Sequence, residues 1–240
     1  MGRGIIMPNT MISFETWEPI YESILSDFGY DRSADETARD VFCQLLQGTE
    51  PLTIESLSLP GTVAICGAGP SLGDELSIVR SADTVIAAST AADILLELGV
   101  SVDCMVTDLD KNPDTVRRLT AQDVPVAVHA HGDNINALRT FVPSFSSEAV
   151  IPTTQTRPVG PIKNPGGFTD GDRAAFLAHA AGAQSLTFAG WDFDDPSVSA
   201  EKAKKLEWAE RLLYWLETRR SETFLILDGR RDSINFPWES

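Results

Sequence analysis

The chain is short of cations. Its 240 residues hold 19 Lys and Arg against 35 Asp and Glu, a formal net charge of −16, and only five of the bases are lysine. Such a surface repels nucleic acid, and no basic stripe relieves it. Long apolar runs are also missing. No stretch approaches the roughly 20 residues that cross a bilayer, so no membrane-spanning role is expected. The opening MGRGIIMPNT is too short and too weakly apolar for a signal peptide. Position 6 is Ile, where a myristoylation signal needs Ser or Thr. Cysteine is scarce. Cys43, Cys66 and Cys104 are scattered, lack CxxC spacing and read as reduced core residues of a cytoplasmic protein. Low lysine and abundant acid fit a high-salt cytoplasm, where screening confines self-repulsion to about 3 Å at 1 M salt. The alternative is an ordinary acidic protein.

What is present is a regular alternation. Residues 13–28 place Phe14, Trp17, Ile20, Ile24, Leu25 and Phe28 at helical spacing. A second helix is expected over 33–47, opened by Ser33 with Glu36 three residues on. Residues 48–60 read as a linker, which makes 1–60 a small N-terminal helical appendage. From 61 to 240 short apolar runs alternate with helical segments. The runs are 62–66, 84–89, 103–108, 124–130, 148–152, 185–190 and 223–228, and the helices lie near 71–80, 90–98, 112–121, 133–141, 171–182 and 200–219. This pattern predicts an α/β domain with a mostly parallel, Rossmann-like sheet and helices on both faces. The stretch 152–169 holds four prolines and three glycines, and a loop that long is functional or mobile.

Polar motifs cluster at the predicted strand ends, where a parallel sheet gathers its ligands. GAGPS (67–71) joins a strand to a helix. Gly67, Gly69, Pro70 and Ser71 are candidates for holding a phosphate at a helix N-terminus. The loop is neither a Walker A motif nor a good dinucleotide fingerprint. Its alternative is a tight turn without ligand. TDLD (107–110) sets Asp108 and Asp110 two apart, facing one way in extended geometry. Two carboxylates that close favour a cation between them, and oxygen donors favour Mg²⁺ or Mn²⁺. HAHGDN (129–134) offers His131, Asp133 and Asn134, although two His at i, i+2 do not specify zinc. GGFTDGDR (166–173) carries Gly167, Phe168, Thr169, Asp170, Asp172 and Arg173, with the arginine where a phosphate would sit. Capping of the next helix would account for Thr169 or Asp170 alone. In GWDFDD (190–195), Trp191 is placed to stack on a flat ring and Asp192 to pair with its edge; aromatic packing is the alternative.

Taken in order, GAGPSL, VTDLD, HAHGDN, GGFTDGDRA and GWDF resemble the archaeal 6-hydroxymethyl-7,8-dihydropterin pyrophosphokinases, whose core is similar to thiamine pyrophosphokinase. The resemblance covers roughly 60–230. It implies transfer of a diphosphate from ATP to the pterin hydroxymethyl group, release of AMP, a Mg²⁺ requirement and a place in folate or methanopterin biosynthesis. The lysine-poor composition fits a haloarchaeal member. Carried across, the resemblance makes Asp108, Asp110 and Asp133 magnesium ligands. Asp170 belongs to the archaeal pattern as a further metal candidate, with Asp172 and Arg173 beside it in the reaction. His131 or Asp172 would accept the proton. Asn134 or Asp192 would read the pterin edge, and Phe168 or Trp191 would stack on its ring. A second resemblance, to motility-associated glycosyltransferases with a similar core, is disfavoured because those chains are much longer. A non-catalytic nucleotide sensor is disfavoured by the excess of carboxylates. A homodimer stays open.

Overall fold

The structure, a computed structural model, describes residues 11–239, so the opening MGRGIIMPNT falls outside the described residues. Two helices come first, α1 (Phe14–Phe28) and α2 (Arg32–Leu45). Six strands follow: β1 (Thr62–Cys66), β2 (Thr84–Ala88), β3 (Cys104–Thr107), β4 (Val126–Ala130), β5 (Val150–Thr154) and β6 (Ser185–Ala189). Between and after them lie α3 (Leu76–Ser81), α4 (Ala91–Glu97), α5 (Pro113–Thr120), α6 (Ile135–Phe141), α7 (Asp170–Ala180) and α8 (Ala200–Arg220).

The strands form one all-parallel sheet in the order β5-β4-β3-β2-β1-β6. The chain steps outward from β1 to β5, then returns to place β6 on the other side of β1. That reversal between β1 and β6 is a topological switch point, where loops diverge and leave a crevice.

Alternate strand residues point to opposite faces. Val63, Ile65, Ile86 and Val106 pack with α1, α7 and α8. Ala64, Cys66, Ala87 and Met105 pack with α2 to α6. The two N-terminal helices thus lie on opposite faces, and the turn between them sits at the strand-end edge. Residues 48–60 do not run free in solvent: Ile54, Leu57 and Leu59 are buried in the core that holds α1 and α7.

Two expectations are corrected. TFLILD (223–228) is no strand. Leu225–Leu227 forms a 3₁₀ turn closed by Leu227 N–H to Phe224 C=O, and Phe224 N–H goes to the Glu217 carboxylate. With its backbone satisfied there, the segment buries Phe224 and Leu227 and leaves Leu225 exposed. Helix α2 starts earlier than expected because Asp31, not Ser33, is its cap: Ser33 N–H donates to Asp31 Oδ1 at 2.9 Å. Glu36 pairs instead with Arg32.

Candidate active site

All six strands send residues into one cavity of about 820 Å³ at their C-terminal edge. Asp108 and Asp110 come from the end of β3, His131 and Asp133 from β4, Gln155 from β5, and Trp191 and Asp192 from β6. Gly67 and Gly69 come from β1, and Phe168, Thr169, Asp170 and Arg173 from the start of α7. The α1–α2 turn closes one side with Tyr30, Asp31, Ala34 and Asp35.

The TDLD segment is a turn rather than an extension of β3. Leu109 is left-handed (φ 68°), its side chain buried in the core. Two local bonds hold the bend: Leu109 N–H to Thr107 Oγ1 at 3.0 Å, and Asp110 N–H to Asp108 Oδ1 at 3.1 Å. These side-chain-to-backbone bonds replace the ladder that an extended segment would have needed. Asp108 and Asp110 still share the cavity because the bend, not the pleat, turns them there. A left-handed leucine costs of order 1–3 kcal/mol, and the buried side chain and the two bonds hold it in place.

The carboxylates are electrostatically divided. Burial would raise the Asp108 carboxyl, but the His131 ring and the Arg173 charge outweigh it and hold it well below the usual range. His131 Nε2 lies 3.4 Å from Asp108 Oδ2. Asp110 is pushed up by burial and by the charge on Asp108. Asp170 is pushed up to about 8, first by burial and then by Asp108, although Arg173 Nη1 donates to it at 3.2 Å. Carboxylates outnumber the cations Arg173, Lys111, Lys202 and Lys205 in the cavity lining. An all-oxygen donor set with that surplus fits a hard divalent cation. Among the described residues, no three His, Cys, Asp or Glu side chains converge as a ready-made metal cage. Asp133 is exposed at the head of a 3₁₀ turn, so it lines the cavity without joining Asp108 and Asp110 in such a group. Magnesium is commonly held by one or two carboxylates, with waters and substrate phosphates completing its shell.

Several expected ligand contacts are taken by the protein itself. Three of the GAGPS amides are bonded within the protein: Gly67 N–H goes to Ala189 C=O, Gly69 N–H to Gly190 C=O, and Ser71 N–H to Asp192 Oδ2 at 3.0 Å. Ser71 Oγ also bonds Asp192, at 2.9 Å. Asp192 therefore latches the β1 loop to the β6 loop through Oδ2 while it lines the cavity. Gly69 is required for this latch, because an added Cβ would lie 2.3 Å from Asp192 Oδ2 and 2.7 Å from Gly190 C=O. Asn134 is also spent: its Nδ2 donates to Asp108 C=O and His129 C=O at 2.7 and 2.6 Å, and its Oδ1 accepts from His131 N–H. Asp172 is fully buried and caps α7, accepting from Phe168 N–H and from Thr169 N–H and Oγ1. It cannot serve as a base in the cavity. Asn134, Asp172, Pro70, Ser71 and Gly167 are not among the lining residues. Trp191 does line the cavity, anchored by Nε1–H to Ile65 C=O at 3.0 Å. Phe168 packs its ring 5.1 Å from that of Phe28, beside Tyr30.

Residues 44–197 match the family described as MptE-like 6-hydroxymethylpterin diphosphokinase. The chain belongs to that family. Proteins named 6-hydroxymethyl-7,8-dihydropterin pyrophosphokinase are similar to it over most of its length. The one from Methanothermobacter thermautotrophicus is 40% identical over 85% of this chain and 94% of its own. That from Pyrococcus furiosus is 38% identical over 86% and 95%, and that from Methanocaldococcus jannaschii 30% over 89% and 100%. Among solved structures, the MAf glycosyltransferase of Magnetospirillum magneticum AMB-1 overlaps 70% of this chain and 29% of its own, at TM-score 0.45 and 18% identity. At that similarity it carries no argument.

Some residues that line the cavity carry no motif. Gln155 was hidden because β5 runs two residues past its expected end, to Thr154, which puts Gln155 at the same edge as the acidic motifs. Lys111, Lys202 and Lys205 line the cavity too, three of only five lysines in the chain. That concentration was open to reading in the composition. Tyr30, Asp31, Ala34 and Asp35 carried no local signal; only the tertiary fold brings them in.

Proposed function

We propose that this protein is a 6-hydroxymethyl-7,8-dihydropterin pyrophosphokinase that moves a diphosphate from ATP to the pterin hydroxymethyl oxygen and releases AMP. The supporting observation is the meeting of Asp108, Asp110, Asp170 and Arg173 in the strand-end cavity of a member of the diphosphokinase family. Three of the five lysines in so acidic a chain face that cavity, which favours a polyanionic ligand such as a triphosphate.

Asp108 and Asp110 are the residues that would hold Mg²⁺, with Asp170 near enough to feel their charge. When bound, the ion supplies neutralisation of the charge that develops on the transferring phosphates. Arg173 and the lysines orient the triphosphate, and the N-terminus of α7 adds a favourable dipole end. The transition state of such transfers is loose, so the acceptor hydroxyl needs little activation and positioning dominates. Asp172 cannot act as a base because its carboxylate caps α7. Trp191 and Phe168 give the cavity its flat apolar surfaces, suited to a pterin ring. The buried free thiols Cys66 and Cys104 suit a reducing cytoplasm.

The test is the product pair. Purified protein with ATP, Mg²⁺ and the reduced hydroxymethylpterin, in molar KCl, yields AMP and pterin diphosphate in equal amounts. ADP with a pterin monophosphate, or no turnover of the pterin, would overturn the reading.

A further inference from the structure

We infer that Asp35, on the N-terminal helix α2, is a positioning residue for the active-site arginine, acting through Gln155. The inference rests on the function proposed above. Asp35, Gln155 and Arg173 are 5, 5 and 6% exposed, so each polar group must find its partner inside the protein. Gln155 Nε2 donates to Asp35 Oδ2 at 2.7 Å, and Arg173 Nη2 donates to Gln155 Oε1 at 3.1 Å. Arg173 then reaches Asp170 through Nη1, while its Nε is buried without a protein partner.

The polarity of this relay is forced. An ionised carboxylate only accepts and a guanidinium only donates, so an amide between them has one orientation. Asp35 is fixed in turn by Tyr21 Oη, donating at 2.7 Å, and by Gly132 N–H at 2.8 Å. The Gln155 backbone is held as well: its C=O accepts from Trp17 Nε1 and Asn164 Nδ2, both at 2.9 Å. Thus α1 and α2 clamp both ends of the glutamine that aims Arg173. Asp35, the outer end of the relay, and its support Tyr21 lie outside residues 44–197, the stretch that matches the family. The N-terminal helices therefore complete the catalytic pocket rather than merely cover it.

A polarity swap tests this. Asp35→Asn leaves too few acceptors for three donors: either its NH₂ faces the Gln155 NH₂ and the glutamine turns to set a donor against Arg173, or it faces Gly132 N–H and the outer end of the relay is displaced. Gln155→Glu sets two carboxylates face to face. The double variant Asp35→Asn/Gln155→Glu restores a complete relay with unchanged total charge: the new amide on α2 donates, and the new carboxylate accepts from both sides. Each single variant is expected to lose about tenfold or more in kcat and to bind ATP more weakly, since small displacements of a positioning group carry effects of that order. The double variant is expected to recover most of the loss. Tyr21→Phe, which removes one of the two other supports of Asp35, should lower the unfolding midpoint and reduce kcat by less than either relay variant. Single variants that are folded by circular dichroism and turn over at the wild-type rate overturn the inference, as does a double variant no better than the worse single. If Asp35→Asn does not fold, Gln155→Asn takes its place: it shortens the link and leaves Asp35 its other partners, and unchanged kcat again overturns the inference. The wild-type protein in the same assay reads the underlying function. If it makes no pterin diphosphate, that function fails, and ATP affinity by calorimetry still reads the relay.

Discussion

Asp108 carries three tasks with one residue. Its carboxylate faces the cavity and the His131 ring, its Oδ1 holds the Asp110 amide, and its carbonyl takes a bond from Asn134. Asp108→Asn keeps the shape and removes the charge. Activity is expected to fall about a hundredfold or more, as for the loss of several kcal/mol of metal-mediated stabilisation. Asp110→Asn should behave alike, with folding retained because a repulsive neighbour is relieved. Steady-state rates at saturating Mg²⁺, read beside far-UV circular dichroism, check both; near-normal turnover would mean that these carboxylates do not hold the metal. Strand-end residues such as these were visible in the sequence, because a polar residue after a buried strand has few places to go. Their partners were not. Ser71 meets Asp192 across 121 residues, and Asp35 meets Gly132 across 97. No local pattern encodes such distances, and so the bonds that Asp192 and Asn134 make within the protein were not legible in their motifs.

At the scale of elements, Gly132 sets how near α2 can come to the end of β4. A Cβ there would lie 2.6 Å from the Ala34 Cβ. Gly132→Ala should push α2 outward and weaken the bond to Asp35. A loss of roughly 1–3 kcal/mol, typical of overpacking, is expected in urea unfolding, together with reduced turnover. The far end of the molecule has its own pin. Glu217 on α8 accepts from Phe224 N–H and pairs with Arg231. Burial opposes its charge, but the Arg231 bonds outweigh that and hold its carboxyl below the ordinary value. A depressed folded-state value means that the stabilisation is complete above the ordinary glutamate range and is lost as pH falls through the folded value. Glu217→Gln should therefore destabilise at pH 7 and cost progressively less as pH falls below the ordinary glutamate range, as denaturation midpoints across an acid series will show. The strands and helices from 61 to 220 were readable from their periodicity, since burial on both faces demands continuous apolar runs. TFLILD misled because it has the composition of a strand, while the Glu217 carboxylate and a 3₁₀ turn take its backbone bonds.

For the molecule as a whole, the excess of 35 acids over 19 bases makes salt a structural variable. Below about 0.5 M KCl the screening length exceeds about 4 Å, and self-repulsion should lower both unfolding midpoint and activity. Full activity after dialysis into dilute buffer would mark the protein as merely acidic. Length and charge were readable at a glance. What they could not convey is how far the chain reaches back on itself. Helix α1 precedes the other described elements in the chain, yet Trp17 bonds Gln155 and Asp27 bonds Lys204 and Trp208, residues 138, 177 and 181 positions later. During synthesis, its apolar face must wait for α8 to leave the ribosome before it can be fully covered. Folding dominated by contacts of such long sequence separation is slow, and the waiting surface invites chaperones. A nascent chain lacking α8 leaves Asp27 without its Lys204 and Trp208 partners.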